Sequence, residues 1–224
     1  MDEHLYTRHN HVVRKLVFVS VLLALVVVTL GAYTRLTHAG LGCPDWPTCY
    51  GLIDVPETAE QIALAEKTYP QSQVEPAKAW NEMIHRYFAG ALGLLILAIA
   101  FFSVKNRAQG TPLRLPLLIL VIVIFQAALG MWTVTMKLMP IVVMGHLLGG
   151  FTTLCLLFLL YLRLKPHRIN CSDFSIKKYG RFALLGIVLL TGQIALGGWT
   201  SSNYAALSCV ELPICQAGWQ DQLS

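Results

Sequence analysis

His85 stands at the start of a membrane-length segment, two residues before its charge-free stretch, and His146 falls in another, six residues after Pro140. Ionisable side chains at membrane depth are costly and are usually kept for function. If successive stretches alternate in direction, these two run the same way. At about 1.5 Å per residue, both imidazoles then lie within roughly 10 Å of the same ends of their helices. Two helices offering one histidine each at matched depth suit bis-imidazole ligation of a heme held in a helical bundle. The simpler use of each ring is a hydrogen bond to a neighbouring helix. A zinc site would lack its third and fourth ligands at this depth.

Other chemistry-bearing residues surround this pair. Glu82 lies three positions before His85, on the same helical face. It would orient the imidazole or move a proton, or else serve as a favourable acid at a helix N-terminus. Arg35 and Arg86 stand at the boundary of apolar stretches, where a guanidinium would anchor a heme propionate or simply reach toward the interface. Cys43 and Cys49 bracket a short loop with two prolines and a tryptophan, and a disulfide is expected there. Its role would be structural, or redox if the bond were accessible and labile. Cys209 and Cys215 repeat the spacing and predict a second bridge, whereas Cys155 and Cys171 read as free thiols. Gln126 and Gln193 are intramembrane polar groups suited to interhelical hydrogen bonds. Gly90, Gly93, Gly145, Gly149 and Gly150 allow close helix approach or room for a macrocycle.

The elements that must position these residues follow from charge. The chain is 55% hydrophobic and 13% charged, about half the charged fraction of an ordinary soluble domain. Leu16–Thr34, Tyr87–Val104, Leu115–Met136, Leu138–Leu162 and Phe182–Thr200 contain no Asp, Glu, Lys or Arg. Each reaches or approaches the roughly 20 residues needed to span a bilayer. The first is too long for a cleavable signal peptide and is followed by no small-residue cleavage site. The expected fold is therefore all-α, a polytopic membrane bundle of five transmembrane helices.

The net charge of +5 is distributed unevenly. Arg8, Arg14, Lys15, Lys105, Arg107, Arg114 and the cluster from Arg163 to Arg181 share one side if the helices alternate, and the positive-inside rule makes that side cytoplasmic. The long loop 35–81 on the other side is acidic, with a short helix expected near Ala59–Lys67. The predicted N-terminus is inside and the C-terminus outside, in a bacterial-type inner membrane, and nucleic acid is excluded as the partner of these basic residues.

The chain also repeats itself. Leu30-Gly31-Ala32-Tyr33-Thr34 is followed nine residues later by Cys43, and Leu196-Gly197-Gly198-Trp199-Thr200 is followed nine residues later by Cys209. Both then read Cys-x3-Pro-x-Cys. This divides the chain into a four-helix half (1–162), a basic cytoplasmic linker (163–181), and the first helix and Cys loop of a second, incomplete half (182–224). On that reading the sequence is a C-terminally truncated member of its family.

These residues resemble the heme A synthase family, membrane enzymes of cytochrome oxidase assembly. The resemblance rests on Leu-Gly-x-Tyr-Thr-Arg35-Leu-Thr-His38, on Gly-Cys43-Pro-Asp-Trp-Pro-Thr-Cys49-Tyr-Gly and on Glu82-x-x-His85-Arg86. It continues through Gln126-x2-Leu-Gly-Met-Trp-Thr-Val to His146, and into the Gly-Gln-Ile-x-Leu-Gly-Gly-Trp-Thr stretch around Gln193. It implies eight helices in two halves, the first receiving heme O and the second holding a permanent heme b. It implies oxidation of a heme O methyl group to the formyl group of heme A, through hydroxylated intermediates. By the same resemblance His85 and His146 would ligate the substrate heme and Glu82 would matter for turnover. Cys43 and Cys49 would form the extracytoplasmic pair, and Cys209–Cys215 would match subfamilies with a pair in both halves, although Val210-Glu-Leu replaces Pro-Asp-Trp. A heme O-supplying enzyme is the implied partner. The family's heme b histidines would lie in the sixth and eighth helices, so no residue of this chain is assigned to heme b. Two rivals use the same residues: a non-catalytic heme carrier or b-type cytochrome, and a membrane thiol-disulfide oxidoreductase acting through the cysteine pairs.

Overall fold

The computed structural model describes residues 3–109, 111–164 and 174–205. Its helices are α1 (Glu3–Leu36), α2 (Ala59–Thr68), α3 (Pro76–Lys105), α4 (Arg114–Thr135), α5 (Pro140–Arg163) and α6 (Phe174–Ser202). All but α2 are long and apolar enough to cross a membrane, and they coincide with the five charge-free stretches. The short helix expected in the loop is α2. It starts at a capping box in which the Thr58 hydroxyl accepts from the Gln61 amide and the Gln61 side chain accepts from Thr58. The loop itself is shorter than the sequence suggests. Arg35 and Leu36 continue α1, and Pro76, which has no amide hydrogen to lose, opens α3 in its first turn.

Four of the long helices close a ring: α1 packs on α3, α3 on α4, α4 on α5, and α5 back on α1. Consequently α3 and α5 face each other across the bundle, as do α1 and α4. Away from the long loop the bundle is filled by aliphatic side chains, with Val13, Val17 and Val21 from α1, Ile96 and Ile99 from α3, Ile119 from α4, and Leu157 and Leu160 from α5. At the loop end a second cluster gathers Cys43, Cys49, Tyr50, Val55 and Ala65 over Ala79 and Met83 of α3. The perimeter is as apolar as the centre, with Leu22, Leu25, Leu94, Phe101, Val121 and Ile124 all exposed. That pattern suits a surrounding of lipid rather than water.

The sixth helix stands outside the ring. It packs mainly on α5, through Gly198, whose hypothetical Cβ would lie 2.7 Å from both Leu147 Cδ2 and Met144 Sδ. No residue from 179 to 201 is buried.

Candidate functional site

His85 projects from α3 and His146 from α5, the two helices that oppose each other across the ring. Their rings meet with centroids 6.5 Å apart and planes at 87°. The pair lies between the aliphatic filling and the loop cluster. His146 is six residues into α5, roughly 9 Å from its start, but His85 is nine residues into α3, roughly 14 Å from its start. The difference from the expected depth arises because α3 begins early, with a lead-in from Pro76 to Asn81 that packs against the long loop. Nδ1 of each histidine is buried and has no hydrogen-bond partner. Unpaired polar atoms in such a place are expensive. Each imidazole also faces a backbone carbonyl, that of Val27 for His85 and that of Gln126 for His146. A buried imidazole beside a backbone carbonyl, with a nitrogen that has no hydrogen-bond partner, has the surroundings of a candidate metal ligand.

Glu82, one turn before His85, turns toward the loop instead. Its Oε2 accepts a hydrogen bond from the Cys43 amide at 2.9 Å, and its Oε1 accepts from Arg86 in a buried ion pair. Arg86 in turn donates to the carbonyls of Thr48 (2.6 Å) and Pro47 (3.3 Å). Both residues thus clasp the loop that Cys43 and Cys49 close with a disulfide. Arg35, the other expected anion anchor, is engaged with α6. It donates to the Ser201 hydroxyl (3.2 Å), the Ser201 carbonyl and the Tyr204 hydroxyl (3.0 Å), with its guanidinium 4.3 Å from the centre of the Tyr204 ring. Cys209 and Cys215 lie outside the described residues, as does Cys171; Cys155 is a free, exposed thiol.

Several supporting residues carried no distinctive sequence signal. Asp45 organises the disulfide loop: Oδ1 accepts from the Tyr50 amide (2.6 Å), and Oδ2 from the Thr48 hydroxyl (2.6 Å) and the Gly51 amide (2.8 Å). The Tyr50 hydroxyl donates to the Gln73 carbonyl at 2.9 Å. Burial, reinforced by the carboxylates of Glu66, Asp45, Glu75 and Glu82, holds that phenol above its ordinary pKa. Gly42 presses directly on α3, where a Cβ would lie 2.6 Å from the Lys78 carbonyl. The Gln126 amide fills the notch left by Gly149 on α5, so it acts by packing as much as by polarity.

A bundle of membrane-length helices with two opposed, half-satisfied histidines under a disulfide-closed loop defines an integral membrane protein with a paired-imidazole centre. Comparison with known sequences narrows the class. The chain belongs to the COX15-CtaA family of cytochrome oxidase assembly proteins, whose profile matches residues 14–223. It is 56% identical over 206 residues to the heme A synthase of Shewanella oneidensis, covering 92% of this chain and 62% of that protein. It is 31% identical over 207 residues to the heme A synthase of Agrobacterium fabrum, covering 84% of this chain and 56% of the relative. With the heme A synthase of Bacillus licheniformis it shares 26% identity over 218 residues, 94% of this chain and 66% of the relative. The chain therefore spans about three-fifths of the length of the curated relatives it matches. No solved structure matches it.

Proposed function

We propose that this chain forms the heme O-binding part of a heme A synthase, with His85 and His146 as the two axial ligands of the substrate iron. The observation that carries this reading is the facing of the two rings. An iron held between the two imidazoles would need about 2 Å on each side plus the half-width of each ring, about 6 Å in all. The observed separation is 6.5 Å. The fit of the residues to heme also rests on the two buried Nδ1 atoms, which have no other partner.

In this reading the substrate iron supplies the redox-active centre near which the heme methyl group is oxidised to a formyl group. The protein's own contribution is to hold the macrocycle in the bundle, exclude water with the aliphatic filling and cover the open end with the disulfide loop. Glu82 keeps its place in the reaction by fixing that loop one turn from His85 and by offering a buried carboxylate at the pocket's mouth. Arg86 and Arg35 lie at the same end, where heme propionates would compete for their guanidinium groups. No residue of the chain is assigned to a resident heme b. The positive-inside rule puts the N-terminus in the cytoplasm and the Cys loop outside a bacterial inner membrane. Residues 1–162 then act as the substrate half, joined through the linker 163–181 to the segment 182–224. An enzyme that makes heme O is the expected supplier, and assembly of a heme-copper oxidase the destination.

The thiol-exchange alternative is disfavoured by burial, since Cys43 and Cys49 are both 0% exposed and a redox-active pair needs access. The carrier alternative uses the same heme site, and only product formation separates it from an enzyme.

The test is to purify the chain from cells that make heme O, with His85→Ala and His146→Ala beside it, and to record visible spectra and the extracted heme. A low-spin bis-imidazole spectrum lost in both variants, with heme A among the extracted products, is the expected result. A spectrum unchanged by both substitutions would remove the heme assignment, and bound heme O without heme A would favour the carrier.

A further inference from the structure

The sequence Leu-Gly-x-aromatic-Thr occurs three times: at Leu30–Thr34 in α1, Leu129–Thr133 in α4 and Leu196–Thr200 in α6. In the closed ring, the glycine of each of the first two copies faces one histidine. A Cβ built on Gly31 would lie 3.1 Å from His85 Cε1, with the other ring atoms Nδ1 and Nε2 at 3.6 Å. A Cβ on Gly130 would lie 3.4 Å from His146 Cε1. The carbonyl that each imidazole faces occupies the same place in both copies, four residues before the glycine: Val27 before Gly31 and Gln126 before Gly130. The ring therefore alternates histidine and glycine around its circumference, α1 and α4 supplying the glycines to α3 and α5.

Between α4 and α5 the fit is reciprocal. His146 of α5 lies over Gly130 of α4, and Gln126 of α4 enters the notch at Gly149 of α5. Gln126 and Gly130 are one turn apart, as are His146 and Gly149, so each helix presents a side chain and a gap to its neighbour. Gly90 and Gly150 lie on the histidine-bearing helices α3 and α5, yet a Cβ there would meet nothing within 4 Å. Absence of a side chain matters at particular glycines and not at every one.

We propose that Gly31 is a positioning residue, whose missing side chain seats the imidazole of His85 beside the Val27 carbonyl and toward His146, whereas a Cβ at Gly130 would make only an ordinary contact with the His146 ring. This rests on the heme-ligand reading for its chemical purpose, but the seating itself is a property of the heme-free protein. An added methyl group at 31 has the His85 ring in its way, and a helix held on two sides cannot easily give. The ring must rotate or withdraw, and one axial ligand is then lost or weakened.

The experiment has two arms. The full chain in detergent, with Gly31→Ala, Gly130→Ala, Gly90→Ala and Gly150→Ala, is titrated with ferric protoporphyrin IX and followed by visible and electron paramagnetic resonance spectra. Thermal unfolding of the heme-free protein is measured in parallel for Gly31→Ala alone, His85→Ala alone and the double variant, with the matching set for Gly130 and His146. Conversion from low-spin toward high-spin iron is expected at 31, with little change at 130, where the contact is ordinary, and none at 90 and 150. The loss of melting temperature in Gly31→Ala should disappear when His85 is also alanine, because no ring is left to meet the methyl group. That double variant restores a foldable protein even if the single one is too unstable to study. Coupling in the melting temperatures without any effect on the heme spectra would keep the seating and discard the heme reading. If Gly31→Ala behaves as Gly90→Ala does and shows no coupling to His85, the proposal is wrong.

Discussion

Glu82 accepts a hydrogen bond from the backbone amide of Cys43 at 2.9 Å, so the carboxylate one turn from His85 is fastened to the first residue of the disulfide loop. Together with the Glu82–Arg86 ion pair, whose side chains are 6% and 12% exposed, this makes the loop and the start of α3 a single unit. Removing Glu82 leaves a largely buried guanidinium without its counter-charge and the Cys43 amide without its acceptor, a change that typically costs about 3 kcal/mol or more. Glu82→Ala should lower the melting temperature in detergent strongly. Glu82→Ala with Arg86→Met should be less damaging than Glu82→Ala alone. Equal melting temperatures for wild type and Glu82→Ala would show that the clasp contributes nothing.

Gly42→Ala should detach the same loop by a different route. The obstacle to its Cβ is backbone, the Lys78 carbonyl at 2.6 Å, which cannot turn aside as a side chain would. The displaced loop would expose the buried Cys43–Cys49 bond. Faster reduction by a mild thiol, followed by alkylation and mass spectrometry, is the expected outcome, and an unchanged rate would count against the close approach.

Asp45→Ala should loosen the loop without moving it. Two backbone amides and one hydroxyl lose their acceptor, which corresponds to about 2 kcal/mol of local stability, or roughly 30-fold faster hydrogen exchange. The effect should be confined to the amides of Tyr50 and Gly51. Asp45→Asn keeps one acceptor oxygen and should fall between.

Arg35 joins the end of α1 to the end of α6 through Ser201 and Tyr204. Arg35→Ala should raise hydrogen exchange across Trp199–Tyr204 by roughly 10-fold, the equivalent of one charge-assisted hydrogen bond. Lysine should not rescue it, because a point charge can neither fork to two acceptors nor stack on the Tyr204 ring. Exchange unchanged in Arg35→Ala would show that α6 is held by Gly198 alone.

The membrane helices were legible because charge is a strong and simple signal: each of the five long stretches free of Asp, Glu, Lys and Arg became a helix. The pairing of Cys43 with Cys49 was equally legible, since six residues and two prolines leave the sulfurs little distance to cross. His85 and His146 could be singled out by chemistry, for no apolar face needs an imidazole. Their partners could not. Spacing puts Glu82 on the same face as His85, but Arg86 is a turn away as well, and a loop amide 39 residues upstream competes for the second oxygen. Arginines at a helix end have several acceptors in reach, and only packing decides that Arg86 takes the loop and Arg35 takes α6. Gly42 and Gly31 escaped for a related reason. A glycine records what must be absent, and the sequence does not say which neighbour required it.

The ring of α1, α3, α4 and α5 also bears on how the protein is made. Its closing contact, α5 on α1, joins the earliest of these four helices in chain order to the latest. As the chain emerges from the ribosome, α1, α3 and α4 can lie side by side in the bilayer, but no enclosed interior exists until α5 enters. From that moment all four helices that form the ring around the histidine pair are in place.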